Sequence, residues 1–134
     1  MERKDIRILV IEDSEDRLKW FQAEFGHCDL TMATNAKAGI SYVKDRKFDL
    51  IFLDHDLGHR VFVDSNDENT GYQVAKAIVI SEFNNTTPVV IHSWNPTGAE
   101  NMRTILTNSI YIPFGTFKID SFKFKSPIDK QPKI

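Results

Sequence analysis

Several features that mark other protein classes are missing from this sequence. Among its 134 residues there is one cysteine, Cys28, so no intrachain disulfide can form and a reducing compartment is expected. No apolar run approaches the ~20 residues of a membrane-spanning helix. Residues 1–7 are mostly charged, unlike the apolar core of a secretion signal. These absences together predict a cytoplasmic protein with no membrane partner.

An excess of basic residues is also missing. The chain has 17 Lys and Arg against 19 Asp and Glu, which gives a formal net charge of −2. Proteins that bind nucleic acid broadly present concentrated positive charge on one face, so that class is disfavoured. The residues that are present include 41% hydrophobic ones over 134 positions, which indicates one globular domain of ordinary size.

Short apolar segments alternate with helical patterns along the chain. The segment at residues 6–11 is apolar and rich in β-branched residues, which is typical of a parallel strand buried on both faces. Ser14 and Asn35 are predicted helix N-caps. The predicted strands are 6–11, 29–34, 48–53, 88–91 and 109–112; the four helices between them end near residues 25, 45, 81 and 107, and the fourth begins at Thr97 or Gly98. This order predicts an α/β fold, a doubly wound five-stranded parallel sheet with helices on both faces.

Two segments fall outside this alternation. Residues 57–69 form a polar loop that is longer than the ~2–6 residues usual between a strand and a helix, and we expect residues 61–63 to pack down within it as a lid. No helical pattern follows Pro113, so the final helix of such a fold is expected to be missing or altered. The predicted domain spans residues 1–119, and an extended tail spans 120–134.

Polar side chains follow three of the predicted strands, at the point where each strand ends. Ligands of open parallel sheets bind beyond the carboxyl ends of the strands, so these side chains should meet at one edge. Crowded carboxylates repel one another unless a cation joins them, and oxygen ligands favour a hard ion such as Mg²⁺, Mn²⁺ or Ca²⁺. Such an ion also binds phosphate oxygens, which favours phosphoryl chemistry. The residues concerned are Glu12 and Asp13, then Asp54, His55 and Asp56, then His92, Ser93 and Asn95.

Each of these residues also has a plainer interpretation. Glu12 or Asp13 alone would serve as a helix cap, and His55 or His92 would serve as a buried histidine bonded to the backbone. As functional groups, the two histidines offer proton transfer near neutral pH or ligands for a softer metal. Trp94, which follows the fourth strand, would either stack on a base or pack on a loop.

In combination, these segments resemble the receiver domains of response regulators. Residues 8–13 resemble the first strand and acidic pair of that family. Residues 48–54 resemble the third strand with its phosphate-accepting aspartate, and residues 88–93 resemble the fourth strand with its terminal Ser or Thr. The resemblance covers about residues 5–115, includes the Pro113-Phe114 pair, and implies a receiver fold with strand order 2-1-3-4-5.

The receiver resemblance also implies roles for single residues. Glu12 and Asp13 would hold Mg²⁺, Asp54 would accept a phosphoryl group, and Ser93 would bond to a phosphoryl oxygen. Receiver domains have a lysine directly before the proline that follows the fifth strand, whereas this chain has Ile112 there. That departure argues against ordinary phosphorelay signalling.

Three motifs resemble a narrower family, the cyclic-phosphate-processing receiver-like proteins. The motifs are Leu53-Asp54-His55-Asp56-Leu57-Gly58, then Thr70-Gly71-Tyr72, then His92-Ser93-Trp94-Asn95-Pro96 with Gly98 and Asn101-Met102. Members are receiver folds of bacteria and their phages, and the resemblance implies binding or hydrolysis of a cyclic phosphate. The expected partner is a small phosphorylated ligand such as a cyclic nucleotide, or a nucleic acid only where it ends in a cyclic phosphate.

The leading hypothesis from the sequence is a metal-assisted phosphoesterase that acts on a cyclic phosphate. An Mg²⁺ or Mn²⁺ ion would neutralise phosphate charge and supply the attacking water. His92 or His55 would protonate the leaving oxygen, while Ser93 and Asn95 would donate hydrogen bonds to the phosphate. The predicted metal ligands are Glu12, Asp13, Asp54 and Asp56, and the predicted catalytic residues are Asp54, His55, His92, Ser93 and Asn95. Two alternatives stay open: a receiver domain phosphorylated on Asp54, and a non-catalytic module that binds a nucleotide or a partner protein.

Overall fold

Five strands alternate with four helices over residues 5–115, the part of the chain that the computed structural model describes. The strands are β1 (Arg7–Ile11), β2 (Asp29–Ala33), β3 (Leu50–Leu53), β4 (Val89–Ile91) and β5 (Ser109–Tyr111). The helices are α1 (Glu15–Phe25), α2 (Ala36–Asp45), α3 (Gly71–Ile80) and α4 (Pro96–Ile105). Each strand and helix predicted within these residues is present.

The sheet has the topology that the sequence predicts. Its strand order is β2-β1-β3-β4-β5 and all neighbouring pairs are parallel, which confirms the predicted receiver fold. The register aligns Ile11 with Leu53, and Leu53 with Ile91. These are the last residues of their strands, so the side chains that follow them leave the sheet at the same level. We call this side of the sheet the carboxyl edge.

Helices cover both faces of the sheet, as predicted. Alternate residues of β1 point to opposite faces, since Ile8 and Val10 join the cluster around Phe21 of α1, whereas Leu9 and Ile11 join the cluster beneath α2, α3 and α4. Burial of such a side chain stabilises the fold by about 1.5–3 kcal/mol. The central strands therefore form a rigid platform for the residues at their ends.

Two element boundaries differ from the prediction for a local reason. Helix α4 begins at Pro96, ahead of the predicted Thr97 or Gly98, because Asn95 is its N-cap and Asn95 Oδ1 accepts the Gly98 N–H at 2.9 Å. Strand β3 begins at Leu50 rather than at residue 48. The Phe48 N–H donates to a side-chain oxygen at 2.9 Å instead of pairing along the sheet.

The expectations for the end of the chain lie outside the described residues. They are the domain boundary at residue 119, the extended tail at 120–134 and the missing or altered final helix. Within residues 5–115 the longest helix is α1, with 11 residues, and no helix there has the length and apolar character to cross a bilayer.

Candidate functional site

The carboxyl edge of the sheet opens into a pocket of about 340 Å³. Five predicted site residues, drawn from three strand ends, border this pocket: Glu12, Asp13, Asp54, Asp56 and Ser93. The other lining residues are Ser14, Arg17, His59, Arg60, Val61 and Trp94. The aligned strand ends thus bring side chains that are distant in sequence around one space.

Asp54, directly after β3, is the most deeply buried aspartate of the pocket, with 5% of its surface exposed. Its Oδ1 accepts the His55 backbone N–H at 2.8 Å, and its Oδ2 lies 3.8 Å from Nη1 of Arg17. Burial is the main reason that the pKa of Asp54 is raised to about 7; the charge of Glu12 adds to the rise, and nearby positive charge opposes it. The positive charge near Asp54 therefore offsets only part of the cost of burying its carboxylate.

Glu12, directly after β1, is 1% exposed but well compensated. Its Oε2 accepts the backbone N–H groups of Asp13 and Ser14 at 3.1 and 3.0 Å. Its Oε1 lies 2.8 Å from Nε2 of His92 and 3.5 Å from Nη1 of Arg17. Burial by itself would raise the pKa of Glu12, but the contacts with His92, Ser14 and Arg17 outweigh it and lower the pKa. Glu12 thus stays ionised and adds negative charge beside Asp54.

His92, directly after β4, lies behind Glu12 rather than on the pocket wall. The residue is fully buried, and its ring centre lies 5.3 Å from that of Phe21. Glu12, Asp54 and His92 each place one possible ligand atom within 4.8 Å of the others, close enough to share a metal ion. The contact of His92 with Glu12 suits support of that carboxylate better than proton donation to a ligand in the pocket.

Asp13 and Ser93 border the pocket, and the side chain of each accepts a hydrogen bond from a backbone N–H group. Asp13 Oδ2 accepts the backbone N–H of His59 and lies 3.6 Å from Nδ1 of the same residue. Ser93 Oγ accepts the Asn95 N–H at 3.0 Å. That bond does not use the Ser93 hydroxyl proton, which Ser93 can therefore donate to a ligand.

His55, Asp56 and Asn95 form a network beneath the loop at residues 57–69. Nδ1 of His55 lies 2.8 Å from Asp56 Oδ1, and Nε2 lies 2.8 Å from Oγ of Ser65. Asn95 Nδ2 donates to Asp56 Oδ1 at 3.0 Å. Burial opposes ionisation of Asp56, but the hydrogen bonds from Asn95 and His55 outweigh it and lower the pKa. The predicted roles of these three residues in metal binding and catalysis remain predictions, and their contacts instead favour a role in holding the loop.

Two carboxylates of the site fix the backbone of the 57–69 loop. His59 and Phe62 have positive φ angles, 60° and 53°, which cost residues other than glycine on the order of 1–2 kcal/mol each. The N–H of His59 donates to Asp13 and the N–H of Phe62 donates to Asp56. The shape of the loop therefore depends on the charged groups at the carboxyl edge.

The expectation that residues 61–63 pack down as a lid is wrong. Val61 is 77% exposed and Phe62 is 73% exposed. The left-handed backbone at Phe62 directs its N–H inward to Asp56 and leaves the apolar side chain outside. Arg60 instead closes the loop, because its Nη1 and Nη2 contact the two carboxylate oxygens of Asp67 at 2.9 and 3.1 Å.

The sequence from residue 7 to residue 108 matches the family model of the cyclic-phosphate processing receiver domain. This match spans more than half of the chain. The chain belongs to the family of cyclic-phosphate processing receiver domains. No curated protein sequence matches it significantly.

Solved structures that share this fold are receiver domains. One is the receiver domain of a sensor histidine kinase from Pseudomonas aeruginosa with magnesium in its active-site cleft (18% identity, 89% of this chain and 92% of that chain, TM-score 0.69). Another is a CheY-like receiver from Methanospirillum hungatei (18%, 96% and 98%, TM-score 0.70). A third is a response regulator from Burkholderia pseudomallei with a phosphorylated aspartic acid and calcium (16%, 96% and 71%, TM-score 0.68). At these identities the likeness shows the fold alone.

Two glycines of this receiver domain permit close packing around the site. A Cβ atom on Gly71 would lie 1.8 Å from the Asp54 carbonyl oxygen. A Cβ atom on Gly98 would lie 2.4 Å from the His55 ring. Any side chain at either position would displace Asp54 or His55, which explains the glycines in two of the motifs that resemble this family.

Arg17 is the site residue that the sequence patterns did not reveal. It lies in the first turn of α1, and its Nη1 contacts Glu12 and Asp54 as described above. Its guanidinium carbon lies 4.3 Å from the Trp94 ring centre and 5.0 Å from that of Phe114. Trp94 thus contacts Arg17 of α1 through its ring, and 61% of the residue is exposed, so its two predicted roles, stacking on a base or packing on a loop, remain predictions.

Ile112, at the position of the receiver lysine, cannot supply the charge that the lysine would carry. Its side chain packs on the apolar cluster around Phe21, and its N–H donates to the Ile91 carbonyl at 2.8 Å. Among the residues that the structure describes, Arg17 is the basic side chain that forms an ion pair with Asp54. The sequence signal that was available for Arg17 is its position, three residues after the predicted N-cap Ser14 and just beyond the acidic pair.

Proposed function

We propose that this receiver domain binds a divalent metal ion at its carboxyl edge and hydrolyses a cyclic phosphate there. The observation that carries the proposal is Asp54, a carboxylate at the pocket beside an ionised Glu12, whose pKa is raised to about 7 mainly by burial. Family membership supports a cyclic phosphate as the ligand. An oxygen-rich set of donors favours Mg²⁺ or Mn²⁺ as the ion.

The residues at the pocket fit a divalent ion by their chemistry. Asp13, Asp54 and Glu12 line the pocket and offer carboxylate oxygens, and we take these three as the ligands. Among the described residues, the ligand atoms that all lie within 4.8 Å of one another are those of Glu12, Asp54 and His92, so Asp13 would join the ion from farther away. Asp56 is left out because its oxygens serve the loop. His92 would join only an ion that lies deeper, next to Glu12, and an imidazole there would favour a softer metal.

Hydrolysis requires a held phosphate, an attacking water and a proton for the leaving oxygen. When bound, the metal ion supplies a Lewis acid that neutralises phosphate charge and makes water a stronger nucleophile. Ser93 donates its hydroxyl proton to a phosphate oxygen and so holds the ligand beside Asp54. Water attacks phosphorus and gives up one proton to the solvent, one ester P–O bond breaks, and the leaving oxygen takes a proton, which gives a phosphomonoester.

We propose that His59, in place of the predicted His55 or His92, donates the proton that the leaving oxygen takes. His59 borders the pocket and its side chain is 78% exposed, whereas His55 and His92 are fully buried. Loss of a general acid lowers turnover by about 10²–10⁴-fold. His59→Ala should therefore reduce turnover on that scale with the Mn²⁺ affinity unchanged, and His27→Ala, an exposed histidine after α1, serves as the matched control. Unaltered turnover in His59→Ala would remove this assignment.

A panel of cyclic phosphates tests the proposal as a whole. The protein is incubated with Mg²⁺ or Mn²⁺ and with 2′,3′- and 3′,5′-cyclic nucleotides, and the products are followed by mass for the gain of one water. Asp54→Ala should abolish turnover, and Asp29→Ala, an exposed aspartate at the start of β2, should retain it. Unchanged turnover in Asp54→Ala rules out its assigned role. Tight binding without product supports a non-catalytic binder instead.

Phosphorylation of Asp54 is a second candidate function, because Asp54 and Ser93 occupy the strand ends that carry these roles in the receiver pattern. The absence of a lysine at Ile112 disfavours it. Treatment with acetyl phosphate and Mg²⁺, followed by intact mass measurement, separates the two functions. We expect no stable phosphoryl adduct, and an adduct that Asp54→Asn abolishes would favour the signalling function.

A further inference from the structure

Arg17 has more hydrogen-bonding capacity than its contacts use. Its Nη1 lies 3.5 Å from Glu12 Oε1 and 3.8 Å from Asp54 Oδ2, both longer than the ~2.7–2.9 Å of a strong charge-assisted hydrogen bond. Within residues 5–115, Glu12 and Asp54 are the polar partners of the Arg17 guanidinium group, and Nη1 makes both contacts. The side chain lines the pocket and is 16% exposed, so part of it faces the space that a ligand would occupy.

Two aromatic residues hold the guanidinium group of Arg17 in place. The rings of Trp94 and Phe114 both lie within cation–π distance of it, and the Trp94 indole N–H donates to the Phe114 carbonyl at 2.7 Å. A guanidinium that is held through its face keeps the N–H donors in its plane for a planar or tetrahedral anion. The aromatic rings thus fix the position of the Arg17 guanidinium group, and its N–H donors need not form strong hydrogen bonds within the protein.

The charge balance of the pocket indicates what these donors are for. Glu12, Asp13 and Asp54 already place negative charge on the pocket wall, and a phosphate would add more. We propose that Arg17 is the phosphate-binding cation of this site, in the role that a lysine at the Ile112 position would otherwise fill. The inference rests on the proposed function and names the residue that recognises the ligand's phosphate group.

This role predicts opposite effects on two ligands. Arg17 competes with a metal ion for Glu12 and Asp54, so loss of its charge should strengthen Mn²⁺ binding in the absence of phosphate. Loss of the same charge should weaken phosphate binding in the presence of Mn²⁺. A residue that only stabilised the local structure would weaken both.

Isothermal titration calorimetry on four proteins tests the inference. The proteins are the wild type, Arg17→Met, Arg17→Lys and the matched control Arg46→Met. Arg46 is also an arginine over two aromatic rings, 5.2 Å from that of Tyr42 and 5.6 Å from that of Phe48, but it follows α2 away from the pocket. Each protein is titrated first with Mn²⁺ alone, and then, saturated with Mn²⁺, with adenosine 2′-monophosphate, a product-like phosphate that the proposed reaction does not consume. Thermal melting confirms that each variant is folded.

We expect Arg17→Met to bind the adenosine monophosphate about 30-fold more weakly than the wild type, as for loss of a hydrogen bond to a charged group, and to bind Mn²⁺ more tightly. Arg17→Lys should recover part of the phosphate affinity, and Arg46→Met should match the wild type. A phosphate affinity of Arg17→Met within about twofold of the wild type, or a joint loss of Mn²⁺ and phosphate binding in a folded variant, overturns the inference.

The wild-type titrations separate this inference from the proposed function. A wild type that binds no Mn²⁺ overturns the proposed function, and the role of Arg17 falls with it. A wild type that binds Mn²⁺ but no adenosine monophosphate overturns the role of Arg17 as a phosphate-binding residue. Wild-type affinities for both ligands in Arg17→Met overturn only the role of Arg17.

Discussion

The two ends of the sheet bury polar groups in opposite ways. At the amino edge, where the strands begin, Asn84 is fully buried, and its Oδ1 accepts the Phe48 N–H at 2.9 Å and the Thr87 hydroxyl at 3.0 Å. Its Nδ2 donates to the carbonyls of Val43 and Arg46, both at 2.8 Å. The groups that contact Asn84 are neutral, and each polar atom of the Asn84 side chain has two partners; one cation, Lys47, reaches the network through its Nζ, 3.3 Å from Thr87 Oγ1.

At the carboxyl edge the buried groups are charged, and their charges do not balance. Glu12 is held ionised by its neighbours, whereas the pKa of Asp54 is raised to about 7, mainly by burial. A saturated neutral network stabilises a fold and needs no ligand. A buried carboxylate with a perturbed pKa at a pocket is typical of a functional site. The contrast teaches that the buried polar groups of the amino edge maintain the sheet, whereas those of the carboxyl edge form the candidate binding site.

Asn84→Ala should have the largest effect on stability. The substitution leaves the Phe48 N–H and two carbonyls buried without this partner, so we expect the free energy of unfolding to fall by about 3 kcal/mol. Urea denaturation measures the change, and Asn85→Ala, the exposed neighbour, should cost less than about 0.5 kcal/mol. A loss below about 1 kcal/mol for Asn84→Ala would contradict the structural role of the amino edge.

Asp54→Asn should change the free energy of unfolding in the opposite direction and stabilise the protein. In metal-free protein at about pH 8, removal of this buried and only partly compensated carboxylate should raise the free energy of unfolding by roughly 2 kcal/mol. Asp29→Asn, an exposed aspartate of β2, should leave it nearly unchanged. Urea denaturation in the presence of a chelator measures both variants. A clear loss of stability in Asp54→Asn would show that the carboxylate is well compensated after all.

The gain from Asp54→Asn should depend on pH. The pKa of Asp54 is raised to about 7 in the folded protein, above the ~3.9 of an unfolded chain. The folded state therefore binds this proton more tightly, and the Asp54 contribution to the free energy of unfolding falls as pH rises from about 4 to about 7. The difference between wild type and Asp54→Asn should be small near pH 4.5 and complete by about pH 8. An equal difference at both pH values would show that Asp54 is ionised throughout.

Ser65→Ala should have the smallest effect on global stability but a local effect on the loop. Ser65 Oγ lies 2.8 Å from His55 Nε2 and accepts a hydrogen bond from Asn101 Nδ2 at 2.9 Å, so it ties the 57–69 loop to the carboxyl edge. We expect trypsin to cleave after Arg60 several-fold faster in this variant, with a loss of unfolding free energy under about 1 kcal/mol. Ser41→Ala, an exposed serine of α2, is the matched control. Equal cleavage rates would show that other contacts hold the loop.

The sequence predicted the fold well because local and global signals agree. Apolar runs marked the strands, Ser14 and Asn35 capped the helices as predicted, and parallel strands must end at one edge. The same rule placed Glu12 and Asp54 at the pocket, because each is the first residue beyond its strand. Register gives the level of these residues but not which of them line the pocket, because His92, the first residue beyond β4, lies behind Glu12.

Contacts that depend on a loop path or a helix orientation could not be predicted. His55 and Asp56 also follow β3, but their side chains form hydrogen bonds with the 57–69 loop. These contacts depend on the left-handed residues of the loop, which turn its backbone. Arg17 reaches Asp54 only because α1 lies over the ends of β1 and β3. The buried network of Asn84 was also missed, because an asparagine between a predicted helix and a predicted strand gives no signal of burial.

Titration of the protein with Mn²⁺ tests the central claim most directly. At about pH 8, where Asp54 is ionised in both folded and unfolded chains, wild type should bind about one ion per chain, and Asp54→Asn should bind it at least about 30-fold more weakly through loss of a charged ligand. Asn84→Ala, while folded, should retain the wild-type affinity. Equal Mn²⁺ affinity in wild type and Asp54→Asn, or no binding by either protein, would contradict the claim.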